Sequence, residues 1–226
     1  MARPRQDLLA GVRDIAPMLP GIVPFGAITG AAMVAAGIPE MAAVALSLGA
    51  FAGASQLAAT DLIARGAPAV VVVLAALVVN LRFTMFSASL APHFQDLPRR
   101  WTWPLSSLIV DTTYAVSITR FSRNDVSPRW YFLGAGLVSW VTWQSSTVVG
   151  VFLGARVPAA WHLEFAVPLI FIALLVTAVE DRSTALAGLT AGLVAIGGVG
   201  LPFNLGLPVA ALCGILVGRL AAEVTP

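Results

Sequence analysis

Apolar stretches of about 20 residues follow one another along almost the whole chain, and each is long enough to span a bilayer as an α-helix. That pattern leaves few folds open. A β-barrel alternates apolar and polar residues, whereas residues 70–79 form an unbroken apolar run. Composition points the same way. The 226 residues are 58% hydrophobic and 11% charged, against roughly 25% charged in a soluble domain. A soluble fold this apolar would have too little polar surface to face water, so the surplus faces lipid. The expectation is an all-α fold, a polytopic transmembrane helix bundle forming one domain over residues 1–226, with residues 1–14 as a cytoplasmic segment.

The pattern predicts about eight helices, at approximately 15–36, 40–64, 68–91, 101–120, 130–154, 165–180, 183–200 and 203–220. A seven-helix count is the alternative, because the last three segments are short or closely spaced. Every basic residue is arginine. With the N-terminus inside, Arg3, Arg5, Arg13, Arg65, Arg120, Arg123, Arg129, Arg182 and Arg219 fall on the cytoplasmic side, and Arg99, Arg100 and Arg156 fall outside. That imbalance favours both termini in the cytoplasm of a cell-membrane protein. The arginines separate apolar segments and form no nucleic-acid patch. No short apolar region with a cleavage site follows the first arginines, so no removable signal peptide is expected. Cys213 is the only cysteine, which excludes an internal disulfide.

Glycines four residues apart recur at Gly26/Gly30, Gly49/Gly53, Gly150/Gly154, Gly188/Gly192 and Gly214/Gly218. That spacing lets helix backbones approach closely, and about two of the five pairs are expected to pack. A weak internal echo relates Gly30, Pro39, Phe51 and Asn80 to Gly150, Pro158, Phe171 and Asn204. Read as a repeat, helices one to three recur as five to seven, and both copies insert in the same direction, as in parallel-repeat transporters.

Polar groups inside the apolar runs carry the functional signal, because a charge at mid-bilayer costs about 2.5–3.5 kcal/mol on insertion scales. Arg82 lies in the third helix and needs a partner. Asp111, in the fourth, lies at matching depth: counted from the helix ends, the two are roughly 14 and 15 Å below one surface. The pair either ties two helices together or lines a polar path. Asn80 either bonds a neighbouring helix or faces that path. Pro17, Pro20, Pro24, Gly21 and Gly26 make residues 21–26 a candidate helix break, or a simple kink. The small residues before Ser55 and Gln56 open space beside hydrogen-bonding groups. Glu164, beside His162, is either a proton relay at an outer mouth or a solvated carboxylate. Trp101, Trp103, Trp130 and Trp161 sit near helix ends, as in interfacial belts.

No phosphate-binding GxxxxGK[ST] run and no HExxH or His/Cys cluster is present, so neither a cofactor nor a metal is expected. No soluble stretch is long enough for a catalytic domain, and the sequence points away from an enzyme.

Taken in order, Pro24-Phe25-Gly26, Ala52-Gly53-Ala54-Ser55-Gln56, Asn80-Leu81-Arg82, the Asp111 stretch and Leu163-Glu164-Phe165-Ala166 resemble the AzlC/YgaZ family of branched-chain amino acid exporters, over about residues 8–220. Phe83 and Thr112 depart from the residues usual in that family. The resemblance implies efflux of leucine, isoleucine and valine, and sometimes methionine, and a small membrane partner of the AzlD/YgaH type. With no ATP motif, a proton-driven secondary mechanism follows. In that reading Pro24, Phe25, Gly26, Gly53, Ser55, Gln56, Asn80 and Arg82 form the substrate site. Arg82 contacts a carboxylate or holds Asp111, while Asp111, and secondarily Glu164, carries the proton. The alternatives are a transporter of another small solute and a non-transporting membrane assembly or scaffold subunit, whose polar groups only join helices.

Overall fold

The computed structural model describes residues 4–95, 97–123, 125–154, 179, 181–200 and 206–224, and these form helices joined by turns and short irregular links, with no strand among them. The chain forms two compact units, Met1–Glu164 and Phe165–Pro226. In the first unit the helices are α1 (Pro4–Ile15), α2 (Leu19–Ala35), α3 (Glu40–Gly49), α4 (Gly53–Ala64), α5 (Ala69–Asn80), α6 (Arg82–Phe94), α7 (Arg99–Ser106), α8 (Asp111–Phe121) and α9 (Pro128–Gly154). The second unit contributes α10 (Arg182–Gly197) and α11 (Gly206–Val224). Among the described residues, two helical stretches, Pro4–Ala35 and Ala69–Phe94, are long and apolar enough to cross a membrane. The expected sixth helix, at 165–180, falls almost wholly outside the described residues, as does Glu164.

Prolines mark the helix starts. Pro39, Pro68 and Pro98 sit at the N-caps of α3, α5 and α7, and Pro128 opens α9. At a helix start the missing N–H deprives no intrahelical bond. Gly37 (φ 82°) and Gly66 (φ 69°) take the left-handed conformation in the turns that follow α2 and α4, where a side chain would be strained.

Three expectations are corrected. Residues before 15 are already helical: α1 runs into α2 through a 3₁₀ turn, Ala16–Met18. The break at 21–26 is absent, and α2 runs through Pro24. Pro17 falls in the 3₁₀ turn and Pro20 at the start of α2, where no N–H is needed, while Pro24 lies on the exposed side. Third, the expected helices 40–64 and 101–120 are each divided. Residues 50–52 separate α3 from α4, and residues 107–110 separate α7 from α8. In the expected helix 68–91, only Leu81 interrupts the ladder; its backbone stays helical.

The first unit is organised on α9. Gly11 and Gly134 let α1 meet it backbone to backbone, with Gly11 against Tyr131 and Gly134 against Leu8. Further along, Gly30 lies against the Thr147 carbonyl and Gly150 against the Ala27 carbonyl, while a Cβ on Gly154 would fall 2.7 Å from Ala31 Cα. Contacts therefore rise together along both chains: α1–α2 and α9 run parallel. If Gly30 corresponds to Gly150, Ala27 corresponds to Thr147. The contact is then made by equivalent pairs, as across a twofold axis. Pro158, Phe171 and Asn204, the rest of the echo, lie outside the described residues. In the second unit Gly214 and Gly218 pack on Ala187 of α10. Three of the five glycine pairs thus support close packing, one more than expected; Gly49 and Gly192 have nothing within 4 Å.

Two apolar clusters fill the first unit. Met33, Ala43 and Val151 join α2, α3 and α9. Leu90, Leu105, Leu108, Phe121, Tyr131 and Phe132 join α6 to α9. Beside the second cluster lies a polar clamp. Tyr131 donates to Asp14 (2.8 Å), Arg120 pairs with Asp125 (3.0 Å) and Asp14 (3.6 Å), and the Ser127 N–H reaches Asp7 (3.3 Å). The clamp fastens the C-terminal end of α8 to α1 and α9.

Candidate functional site

The two divided helices and the Leu81 interruption lie at one level. From the 65–68 turn, α4 and α5 each rise 12 residues, about 18 Å at 1.5 Å per residue. Helix α8 has 11 residues, about 17 Å. Here the chain places the N-terminal ends of α4 and α8 and the start of α6.

At the α8 start, Arg82 and Asp111 form the ion pair read from the sequence, with Nη1 and Oδ1 2.9 Å apart. Phe86 stacks on Tyr114 at 4.4 Å and the Tyr114 hydroxyl donates to Ser89 (3.1 Å), which holds α6 against α8. Asp111 is the first residue of α8, so its carboxylate also sits at the positive end of the helix dipole. Thr113 secures the bend: its hydroxyl accepts from the Val110 N–H (2.9 Å) and donates to the Leu108 carbonyl (2.8 Å). The pair is not sealed, since the Asp111 side chain is 52% exposed and that of Arg82 36%. Phe83, one departure from the family pattern, lies with its ring 5.2 Å from the Arg82 guanidinium. Such a cation–π contact contributes about 0.5–1 kcal/mol. Asn80 ends α5 two residues before Arg82, and its Oδ1 is buried with no partner among the described residues.

The α4 start is built differently. Ala50 and Ala52 are extended (φ −133° and −156°), and neither they nor any other side chain caps the helix. Ser47 and Gln144 anchor α3 to α9 through a closed pair of bonds: the Ser47 hydroxyl donates to Gln144 Oε1 and Gln144 Nε2 donates to the Ser47 carbonyl, both at 2.9 Å. Past the bend, Gln56 Nε2 donates to the Ala50 carbonyl, and Ser55 donates to the Ala52 carbonyl at 3.0 Å. A carbonyl only accepts, so the Gln56 amide nitrogen must face Ala50 and the oxygen is the free atom. Gln56 Oε1 has no partner among the described residues, although Gln56 is 1% exposed. Trp143 Nε1 is likewise buried without a partner, and Trp143 is 4% exposed. An unpartnered buried polar group costs about 1–3 kcal/mol. The Trp143 ring packs edge-on to Phe25 (5.3 Å) and lies 6.4 Å from Phe51. A Cβ on Gly53 would fall 2.5 Å from Trp143 Cη2 and 2.8 Å from Phe25 Cε1, so any larger residue must push these rings aside.

Of the residues anticipated for the site, Phe25, Gly53, Ser55 and Gln56 gather at the α4 start. Arg82 and Asp111 meet at the α8 start, with Asn80 one turn-fraction away along α5–α6. Gly26 packs on Ser146 of α9, and Pro24 faces outward from α2. The sequence reading missed Trp143, Gln144 and Ser47. One signal was available: Trp143 lies far from both ends of the long α9, and a buried indole N–H needs a partner there.

The family model described as "AzlC protein" matches residues 17–157. The inner membrane protein YgaZ of Escherichia coli K12 is 28% identical over 96% of this chain and 89% of its own length. An uncharacterized membrane protein of Helicobacter pylori is 27% identical over 74% of this chain and 75% of its own. No solved structure matches. The matched segment begins at the first bend and ends just past α9, so it contains both helix starts, and the chain belongs to the AzlC family.

Proposed function

We propose that the chain is a multi-pass inner-membrane transporter that exports branched-chain amino acids, driven by the proton gradient, with both termini in the cytoplasm. The observation that carries this reading is the Arg82–Asp111 pair at the level of two uncapped helix starts. Helix starts inside a bilayer are rare except where they line a binding site or cavity. A half-exposed carboxylate at that depth is costly against lipid and is accommodated beside a water-filled path. In the mechanism, ionised Asp111 is held by Arg82. Protonation removes its charge, breaks the pair and frees the first turns of α8 to move at the 107–110 bend, while the Arg120 clamp holds its far end. Glu164 is a second candidate carrier. The family resemblance adds leucine, isoleucine, valine and methionine as substrates and a small AzlD/YgaH-type subunit as partner.

The test is efflux of these four amino acids from preloaded cells, with and without the chain and such a subunit. Faster loss of a branched-chain amino acid, abolished when the proton gradient is collapsed, is expected. No change for any of the four, with the protein verified in the membrane, overturns the substrate and direction.

A further inference from the structure

The first turn of α8 carries its own carboxylate, Asp111, at the positive end of the helix dipole, where it pairs with Arg82. The α4 start has no side-chain cap, and its first turn contains no acidic residue. What it has instead is a free acceptor, Gln56 Oε1, a free donor, Trp143 Nε1, and three aromatic rings. We propose that the α3–α4 bend is the seat of the amino-acid substrate. The N-terminus of α4 and the indole N–H of Trp143 take the carboxylate, Gln56 Oε1 takes the ammonium, and Phe25, Phe51 and Trp143 enclose an aliphatic side chain.

The chemistry selects a zwitterion. Helix N–H groups favour an anion, an amide oxygen can only accept, and the two bonds of Ser47 with Gln144 together with the Gln56–Ala50 bond fix the bend between them. No charged side chain is needed, so Arg82 and Asp111 are left to the proton. The rings now cover the first turn of α4 closely enough to exclude a Cβ at Gly53, so binding displaces the Trp143 ring. This assignment rests on the transporter reading and divides its labour between the two helix starts.

The experiment is equilibrium binding of radiolabelled leucine to the full chain in vesicles, with leucinamide (no carboxylate) and 4-methylpentanoate (no ammonium) as competitors. Trp143→Phe keeps a ring and removes the donor. It is expected to weaken leucine about tenfold, a change of about 1.4 kcal/mol, while leaving the already weak leucinamide unchanged. Gln56→Leu removes the acceptor and also the Gln56–Ala50 bond, so it is expected to weaken leucine clearly more than it weakens 4-methylpentanoate. Either variant alone suffices if the other does not fold. Equal weakening of all three ligands means the residues only support the fold, and overturns the proposal. So does leucine selectivity that survives both variants and disappears in Asp111→Asn, which would seat the zwitterion on the ion pair and leave the transporter reading standing. A wild-type chain that neither binds nor moves a branched-chain amino acid overturns the transporter reading itself.

Discussion

Helices α4 and α8 start at one level, each after an extended residue and without a side-chain cap. At α8 the first turn carries Asp111, and Arg82 neutralises that carboxylate. At α4 no acid follows, and two buried polar atoms, Gln56 Oε1 and Trp143 Nε1, have no partner among the described residues. One start is electrostatically complete and half exposed; the other is incomplete and buried. A complete pair is suited to losing and regaining a proton. An incomplete one is suited to a ligand that brings its own charges.

The comparison can be broken most forcefully at the ion pair. Arg82→Leu leaves Asp111 unpaired and is expected to abolish gradient-driven transport; because the pair is half exposed, the cost in stability is about 1 kcal/mol, read on detergent melting. Adding Asp111→Leu should restore much of the stability but not gradient-driven transport. A single variant as stable as wild type would show that the pair is not coupled. Gly53→Val should come next. Its side chain meets Trp143 and Phe25, and overpacking costs about 1–3 kcal/mol. Efflux should fall sharply, whereas Gly49→Ala, with open space around it, should behave as wild type in the same efflux assay.

Smaller effects sharpen the distinction. Asp111→Asn should keep leucine exchange across vesicles while abolishing its response to an imposed pH difference; loss of both would merge the two starts into one site. Ser47→Ala should cost about 1–3 kcal/mol by leaving Gln144 short of a partner, lowering the melting temperature without changing substrate preference. The smallest effect should lie in the second unit. Asp181 caps α10, accepting from the Thr184 N–H and hydroxyl (both 2.7 Å) and the Ser183 hydroxyl (2.8 Å). These bonds hold its pKa down to about 2. Its contribution is therefore complete above the ordinary aspartate range and lost as pH falls through about 2. Melting of Asp181→Asn should match wild type at pH 2 and fall slightly below it at pH 7.

Hydropathy located most of the helical segments but not their interruptions. Averaged over 40–64, the sequence around Ala50, Phe51 and Ala52 is as apolar as its neighbours, and neither proline nor a charge marks the bend. What makes it a bend is tertiary: Gln144 holds Ser47 from α9, and the Trp143 ring lies on Gly53. Conversely, three prolines predicted a break in α2 that contacts to α9 on both sides of Pro24 override. The Arg82–Asp111 pair was legible because depth can be counted along consecutive helices, and two opposite charges in apolar helices have few other partners. Trp143 was not, because a tryptophan in an apolar helix looks like any other packing residue until its N–H is found unsatisfied. The clamp of Asp14, Arg120 and Tyr131 was also invisible, since Arg120 reads from sequence only as a marker of topology.

The glycine seam between α2 and α9 has a mechanical consequence. Where backbones touch at Gly30, Gly150 and Gly154, no side chain intervenes that could change rotamer and let the helices slide. The seam behaves as a fixed post. Movement must then be taken up by the short rods hung from it: α4, pivoting at 50–52, and α8, pivoting at 107–110 and tethered at its far end by Arg120. The two rods are jointed at the same height, so in the proposed mechanism a load lifted off one joint and a proton taken up at the other would be geared together with the post at rest.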